Sequence, residues 1–186
     1  MALPRFLAAF AVCAVLAAGP ALADEIGDIR KQFQGGDLAG ALERADRYLA
    51  AHPENAQARF LKSLILADQG KSEPAIALLD GLTNDYPELP EPYNNLAVIY
   101  AAQGRYELAL ATLEKAIIAH PGYATAHENL GDIHAKLAAA AYEKAQSLDP
   151  KNTTAKMKVA QMRALLEKQV LNPAPAPFIE PLPQAR

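Results

Sequence analysis

The stretch YNNLAVIYAAQGRYELALATLEKAIIAHP, from Tyr93 to Pro121, contains the pattern that decides the fold. Gly104 permits the positive φ that ends a helix within a short turn. Pro121 lacks an amide hydrogen and cannot continue a helix, so the chain must turn there. The stretch therefore predicts a helix, a glycine-centred turn, a second helix and a proline stop.

The same pattern recurs along the chain at a fixed interval of about 34 residues, which is typical of a stacked repeat architecture. Glycine, alanine and proline each keep this period independently. The repeated positions are Gly36, Gly70 and Gly104, then Ala41, Ala75 and Ala109, then Pro53, Pro87 and Pro121.

Composition also favours helices. The chain has 186 residues, of which 51% are hydrophobic and only 6% aromatic, with no Trp. Alanine at helical spacings and few β-branched clusters favour packed helices over a sheet. In the quoted unit, Ala109 and Ala116 let the two helices approach closely, while Leu96, Tyr100 and Leu113 fill the space around them. The sequence predicts one all-α domain.

These residues closely resemble the tetratricopeptide repeat over roughly residues 24–150. The resemblance implies an α-solenoid of about four helix-turn-helix repeats, whose first helices line a concave face that binds peptides. The matching positions in the third unit are Leu96, Ala97, Tyr100, Gly104, Tyr106, Ala109, Leu113, Ala116 and Pro121.

Both ends of the array are irregular. In the first unit Phe33 is one residue nearer its turn glycine than Leu66 or Tyr100 is, which predicts a shortened turn. In the fourth unit five residues are missing where the turn should be, and an apolar period of about 3.5 residues runs through to Leu148. This degenerate unit favours two helices fused into one long helix, with a tight turn near Ala138 as the alternative.

A last helix is predicted from Asn152 and Thr153, which offer N-cap oxygens, to about Leu171. It would cap the array and complete a repeat domain of residues 24–171. The residues available for its buried face are Met157, Ala160, Leu165 and Leu166. Residues 172–186 contain five prolines, so we expect an extended, disordered tail there.

Residues 1–23 have the pattern of a signal peptide. Arg5 precedes the apolar run FLAAFAVCAVLAAG, and Ala21-Leu22-Ala23 supplies small residues before Asp24. The run is shorter than the roughly 20 residues that span a bilayer, so we expect cleavage after Ala23, export to the periplasm and no stable membrane span. Cys13, the only cysteine, lies inside this run.

Several function classes receive no support from the sequence. The formal net charge of −3 and the dispersed basic residues argue against nucleic acid as a partner. No catalytic motif, phosphate-binding glycine loop or cofactor signature is present, so no enzymatic role and no cofactor are predicted. His127 and His134 lie seven residues apart, too far to bind one metal ion without help, and replace packing aromatics.

The predicted binding surface is the concave face. Asn95 and Asn129 occupy equivalent places in consecutive units, so we expect them to form a ladder whose amides bracket a peptide backbone. Alternatively, they merely solvate the groove or cap a neighbouring turn. The full predicted set of peptide-binding residues is Phe60, Glu91, Asn94, Asn95, Val98, Glu128, Asn129, Asp132 and Lys136.

The predicted function is a non-catalytic, periplasmic scaffold that binds another protein or an extended peptide. Acidic residues outweigh Lys136 in the predicted groove, which favours a basic or neutral segment as ligand. The alternative is an accessory or truncated repeat module of a cell-wall system related to L,D-transpeptidases, because the repeats also resemble those of longer envelope proteins with a separate C-terminal domain.

Overall fold

The computed structural model describes residues 19–171, and it describes side chains for residues 25–167. All regular structure in this part of the chain is helical, which confirms the all-α prediction. The helices are α1 (Gly19–Gln34), α2 (Leu38–Ala51), α3 (Ala56–Asp68), α4 (Ser72–Asp85), α5 (Pro90–Ala102), α6 (Tyr106–Ala119), α7 (Ala124–Leu148) and α8 (Thr153–Leu171). The predicted tail and most of the predicted signal peptide lie outside the described residues.

Each of the first three hairpins closes through the same glycine turn. In the second hairpin, Gly70 has a φ of +73°, its amide donates to the carbonyl of Ala67, and the Lys71 amide donates to that of Leu66. These two bonds form the Schellman ending, which satisfies carbonyls that the helix leaves unpaired. Gly36 and Gly104 adopt the same conformation, so the glycine period fixes the three turns.

The first turn is not shortened, and that prediction was wrong. Gly36 donates to Phe33 and Asp37 donates to Gln32, which reproduces the bonds of the other two turns. The helical position held by Leu66 in the second unit is therefore held by Gln32 here. Phe33 is displaced by one position within an unchanged turn, and its half-buried ring packs against both apolar clusters of the protein.

The repeated alanines provide the close contacts between helices. Ala41, Ala75 and Ala109 are completely buried, and so is Leu79, while Leu113 is almost so. Small side chains allow the backbones to approach, and the leucines fill the space beside them. The sequence roles assigned to Ala109 and Leu113 are therefore confirmed.

Successive hairpins pack in chain order, as expected for a solenoid. The first helices contact one another in a row, α1 with α3, α3 with α5, and α5 with α7. The second helices α2, α4 and α6 make no such contacts with each other. The first helices therefore lie on the inner side of the array, where the groove was predicted.

The fourth unit is a single helix, since α7 runs without a break through the place where the alternative turn near Ala138 would lie. After it, the amide of Ala155 donates to Oδ1 of Asn152 at 2.9 Å, which confirms Asn152 as the N-cap of α8. Of the other helices, α8 contacts only α7. The array thus ends in a two-helix arm.

The predicted buried face of α8 was largely wrong. Met157, Ala160 and Leu165 are exposed, and only Leu166 is half-buried as predicted. The face against α7 begins instead with the buried Ala155 and Val159 and continues with the half-buried Met162 and Leu166. These residues follow the i, i+4, i+7, i+11 spacing of one helical stripe. The phase of α8 is set by its neighbour, which the sequence of the helix alone did not reveal.

Candidate functional site

The inner row of helices encloses an open cavity of about 240 Å³. Its walls come from α1, α3 and α5, and α4 contributes residues behind them. The lining residues are Phe33, Ser63, Leu64, Ala67, Asp68, Ser72, Leu79, Asn95, Val98, Ile99 and Ala102. We call this space the groove cavity.

The floor of the groove cavity consists of apolar side chains and one serine whose hydroxyl is already hydrogen-bonded. Leu79 on α4 is completely buried, and Leu64 and Ile99 are almost so. Ser63 is also completely buried, but its Oγ donates to the carbonyl of Phe60 at 2.6 Å. Because that hydroxyl already has an acceptor, the cavity favours an apolar group over a polar one.

The mouth of the cavity is accessible and carries little charge. Val98 is 38% exposed and reaches the mouth from α5. Asp68, the last residue of α3, is exposed, and among the described residues it is the only charged side chain that lines the cavity. Asn95 is the polar side chain of α5 in the same lining. The arrangement combines an apolar cavity with one carboxylate at its edge.

The predicted asparagine ladder does not form as a matched pair of amides. Nδ2 of Asn95 donates to the carbonyl of Glu91 within α5, at 2.9 Å. Nδ2 of Asn129 instead donates to Oδ1 of Asn94, at 2.8 Å. Asn94 is buried, so this bond ties α7 to α5 in the interior. The physical reason is that each amide already has an acceptor inside the protein, a carbonyl of its own helix for Asn95 and the side chain of Asn94 for Asn129.

The other predicted residues divide between core and surface. Phe60 is buried in the main apolar cluster and belongs to the core. Glu91 is buried in the first turn of α5, where the helix dipole favours a carboxylate. Glu128 is exposed on α7, while Asp132 and Lys136 are half-buried there. Of the nine predicted residues, the structure places only Asn95 and Val98 in the lining of the cavity.

Most residues that enclose the cavity were not among the predicted peptide-binding residues. Ala102 could have been found, because it lies one repeat period after Asp68, a residue at the edge of the first helix of its unit. The position of Phe33 predicted only an irregular first turn and no part of a cavity. Leu79 and Ser72 come from α4, a second helix, and no rule about first helices would include them.

His127 takes a structural role, whereas His134 is exposed. Nε2 of His127 lies 3.0 Å from the carbonyl of Pro121, within hydrogen-bond distance. Among the described residues, no group of three or more potential metal ligands comes together. No helix in residues 19–171 is both long and apolar enough to cross a bilayer.

Comparison with known families agrees with this geometry. A profile described as "Tetratricopeptide repeat" matches residues 30–90, and one described as "TPR repeat" matches residues 99–137. Together they account for more than half of the chain. The chain is a tetratricopeptide-repeat protein. The two matched ranges of this tetratricopeptide-repeat protein contain its three glycine turns and the first part of α7.

Solved structures share the fold of this tetratricopeptide-repeat protein. The crystal structure of MamA is 24% identical, with a TM-score of 0.54, over 77% of this chain and 88% of that one. The Sgt2 repeat domain from Aspergillus fumigatus is 17% identical, with a TM-score of 0.60, over 67% and 83% of the two chains. The first repeat domain of Spaghetti (RPAP3), bound to the HSP90 peptide SRMEEVD, is 16% identical, with a TM-score of 0.58, over 67% and 99%. No curated protein matches the sequence significantly.

Proposed function

We propose that this protein acts by binding rather than catalysis, and that it holds an extended segment of another protein along α1, α3 and α5. One apolar side chain of that segment inserts into the groove cavity. The cavity itself is the observation that carries the proposal, because about 240 Å³ between the inner helices leaves room for a large side chain. Drug-sized pockets are larger, so the space suits a single anchor residue.

The charge at the mouth gives the segment a second feature. Asp68 is the only charged residue in the lining, and Glu128 adds an exposed carboxylate further along the inner row. A lysine or arginine beside the apolar anchor would be attracted to Asp68, whereas an acidic neighbour would be repelled. We therefore propose that the segment is basic or uncharged next to its anchor. The acidic peptide SRMEEVD, bound by the Spaghetti repeat domain, should be a poor ligand.

Magnitudes indicate how long the segment must be. Burial of one large apolar side chain contributes about 1.5–3 kcal/mol, and each net hydrogen bond adds about 1 kcal/mol. Micromolar affinity corresponds to a net binding free energy of about 8 kcal/mol. The favourable contacts must exceed this figure, because they must also offset the cost of ordering the segment. A single anchor is not enough, so the segment must also contact the groove on either side of the cavity.

A matched pair of substitutions tests the proposal. Val98 at the cavity mouth and Leu108 on the outer helix α6 are both 38% exposed. Peptides selected from a random library for binding to the wild-type protein would be labelled and titrated by fluorescence polarisation. We expect Val98→Glu to weaken binding at least tenfold and Leu108→Glu to leave it unchanged. Equal effects of the two changes, or none from Val98→Glu, would refute the cavity as the binding site.

The charge preference has its own test. Asp68→Lys should weaken the selected peptides and improve the binding of SRMEEVD, whereas Glu114→Lys, an exposed change on α6, should do neither. If Asp68→Lys leaves the ranking of basic and acidic peptides as it was, the electrostatic part of the proposal fails while the cavity remains.

We also propose that the protein works in the periplasm. Support comes from Arg5, the apolar run that follows and the Ala21-Leu22-Ala23 site in the sequence. Cleavage after Ala23 would leave Ile26 and Ile29, the buried residues of α1, in the mature protein. Mass spectrometry of the protein from a periplasmic extract should find an N-terminus at Asp24. Recovery of the uncleaved chain from the cytoplasm would contradict the proposal.

A further inference from the structure

Helix α8 has a second apolar face that nothing in the described structure covers. Met157 is 55% exposed and Leu165 is 44% exposed, and Ala160, Gln161 and Ala164 are exposed between them. At 100° per residue, four of these positions fall on the side of α8 away from α7, and Leu165 lies at the edge of that side. From Met157 to Leu165 this side carries no charge, and Lys168 is the first charged position on it beyond them. A helix with apolar residues on two faces needs two neighbours, and α8 has one.

The repeat pattern shows which neighbour is missing. Ala160 occupies the place that Ala97 holds in α5, and Ala97 is buried in the hairpin of α5 with α6. Gly131 holds the same place in α7 and is exposed, with open space beside it, because the fused helix does not fold back. Among the described residues, no second helix folds back beside Ala160 either.

We propose that a second copy of this chain covers the exposed face, with two α8 helices antiparallel across a two-fold axis near Gln161. A two-fold interface must complement itself, and this face does so. With the axis near Gln161, Met157 lies opposite Leu165 of the other copy, and Ala160 lies opposite Ala164. The two alanines allow the helix axes to approach closely.

Charges beside the face fit the same arrangement. Lys156 and Glu167 lie on one flank of α8, at nearly equal distances before and after Gln161. In an antiparallel pair related by a two-fold axis, each flank meets the same flank of the other copy. Lys156 of each copy therefore meets Glu167 of the other, which gives two opposite-charge pairs. Arg163 and Lys158 are engaged with α7, through Glu143 and the ring of Tyr142.

The pairing would turn two arms into a four-helix arrangement. Each arm consists of α8 and the later part of α7. In α7 after Ile133, the side chains are no more than half-buried. A single helical hairpin buries one seam, whereas two hairpins packed together bury a second layer. The inner groove, formed by the first helices further along the array, stays accessible in this dimer, so the inference is independent of the proposed ligand.

Sedimentation velocity over a range of concentrations tests the inference with the purified chain. We expect the wild-type protein to reach twice the monomer mass as its concentration rises. Met157→Glu with Leu165→Glu should weaken the association at least tenfold. Ile118→Glu is the control, because Ile118 is 80% exposed but lies on α6. A wild-type chain that stays monomeric, or a dimer that withstands the double substitution, would overturn the inference.

Charge exchange makes the test specific for the antiparallel arrangement. Lys156→Glu alone and Glu167→Lys alone should each weaken the dimer, and the two together should restore it. In addition, Gln161→Cys in a chain with Cys13→Ser should form a disulfide-linked dimer on oxidation. Failure of the double exchange to restore association would exclude the proposed pairing, even if the chain dimerises by another surface.

Discussion

Single alanines determine how closely the helices of each hairpin approach. Ala75 and Ala109 are completely buried, although alanine is small enough to be placed almost anywhere. Their importance was predictable, because a fixed period in the sequence singles them out from the many other alanines. The bonds of Asn95 and Asn129 were not predictable from their equivalent positions, since Asn95 bonds to Glu91 within α5, whereas Asn129 bonds across the interface to Asn94.

We expect Ala109→Leu to lower the free energy of unfolding by about 1–3 kcal/mol, because the larger side chain overpacks the contact with α5. Ala111 is the matched control, because it is exposed on the same helix. Ala111→Leu should change stability little. Urea unfolding followed by circular dichroism measures both. A stable Ala109→Leu variant would show that the hairpin does not depend on close approach at this position.

Tyr100 should make stability sensitive to alkaline pH. Burial raises its pKa above the ordinary value of 10.0, Asp80 and Glu73 raise it further, and Arg105, 4.7 Å from the ring centroid, opposes this. The unfolded chain then releases the proton at lower pH than the folded chain does, so stability falls as pH rises above about 10. Tyr100→Phe should reduce this fall. The free energy of unfolding of both proteins would be measured at pH 9 and pH 11. If the account is wrong, it will fall as much in Tyr100→Phe as in the wild type.

The observed helices and turns agree with those predicted wherever a local sequence signal determines them. The Schellman turns at Gly36 and Gly70 and the N-cap at Asn152 each depend on one residue and its immediate neighbours. The phase of α8 was missed because it depends on the surface of α7. The shortened turn predicted from Phe33 was wrong for a related reason, since a displaced aromatic can pack from a neighbouring position without altering the turn.

The continuity of α7 can be tested with one proline. Ala140 is exposed in the part of α7 where a normal repeat would have its turn. Ala140→Pro removes a backbone hydrogen bond from a continuous helix and should cost about 3 kcal/mol and lower the helix content. A tight turn at this place would tolerate the proline. Ala140→Ser is the control, and retention of full stability in the proline variant would contradict the fused helix.

The groove cavity belongs to the whole array and to no single repeat. Phe33, Leu64 and Val98 come from three successive hairpins, and each reaches the cavity only because the first helices stack in a row. Two apolar clusters support that row, and Phe33 packs against both. The inner face was predictable from the repeat, whereas the cavity was not, because its volume depends on three helices and on residues of α4 behind them.

The central claim is that this cavity anchors the ligand. The most direct test is nuclear magnetic resonance of the isotope-labelled protein, titrated with a peptide selected as described above. The account predicts that backbone signals of Asn95, Val98 and Ala102 shift on binding, while those of Leu108 and Ala111 on α6 stay in place. Shifts confined to α6, with the signals of α5 around Val98 unchanged, would contradict it.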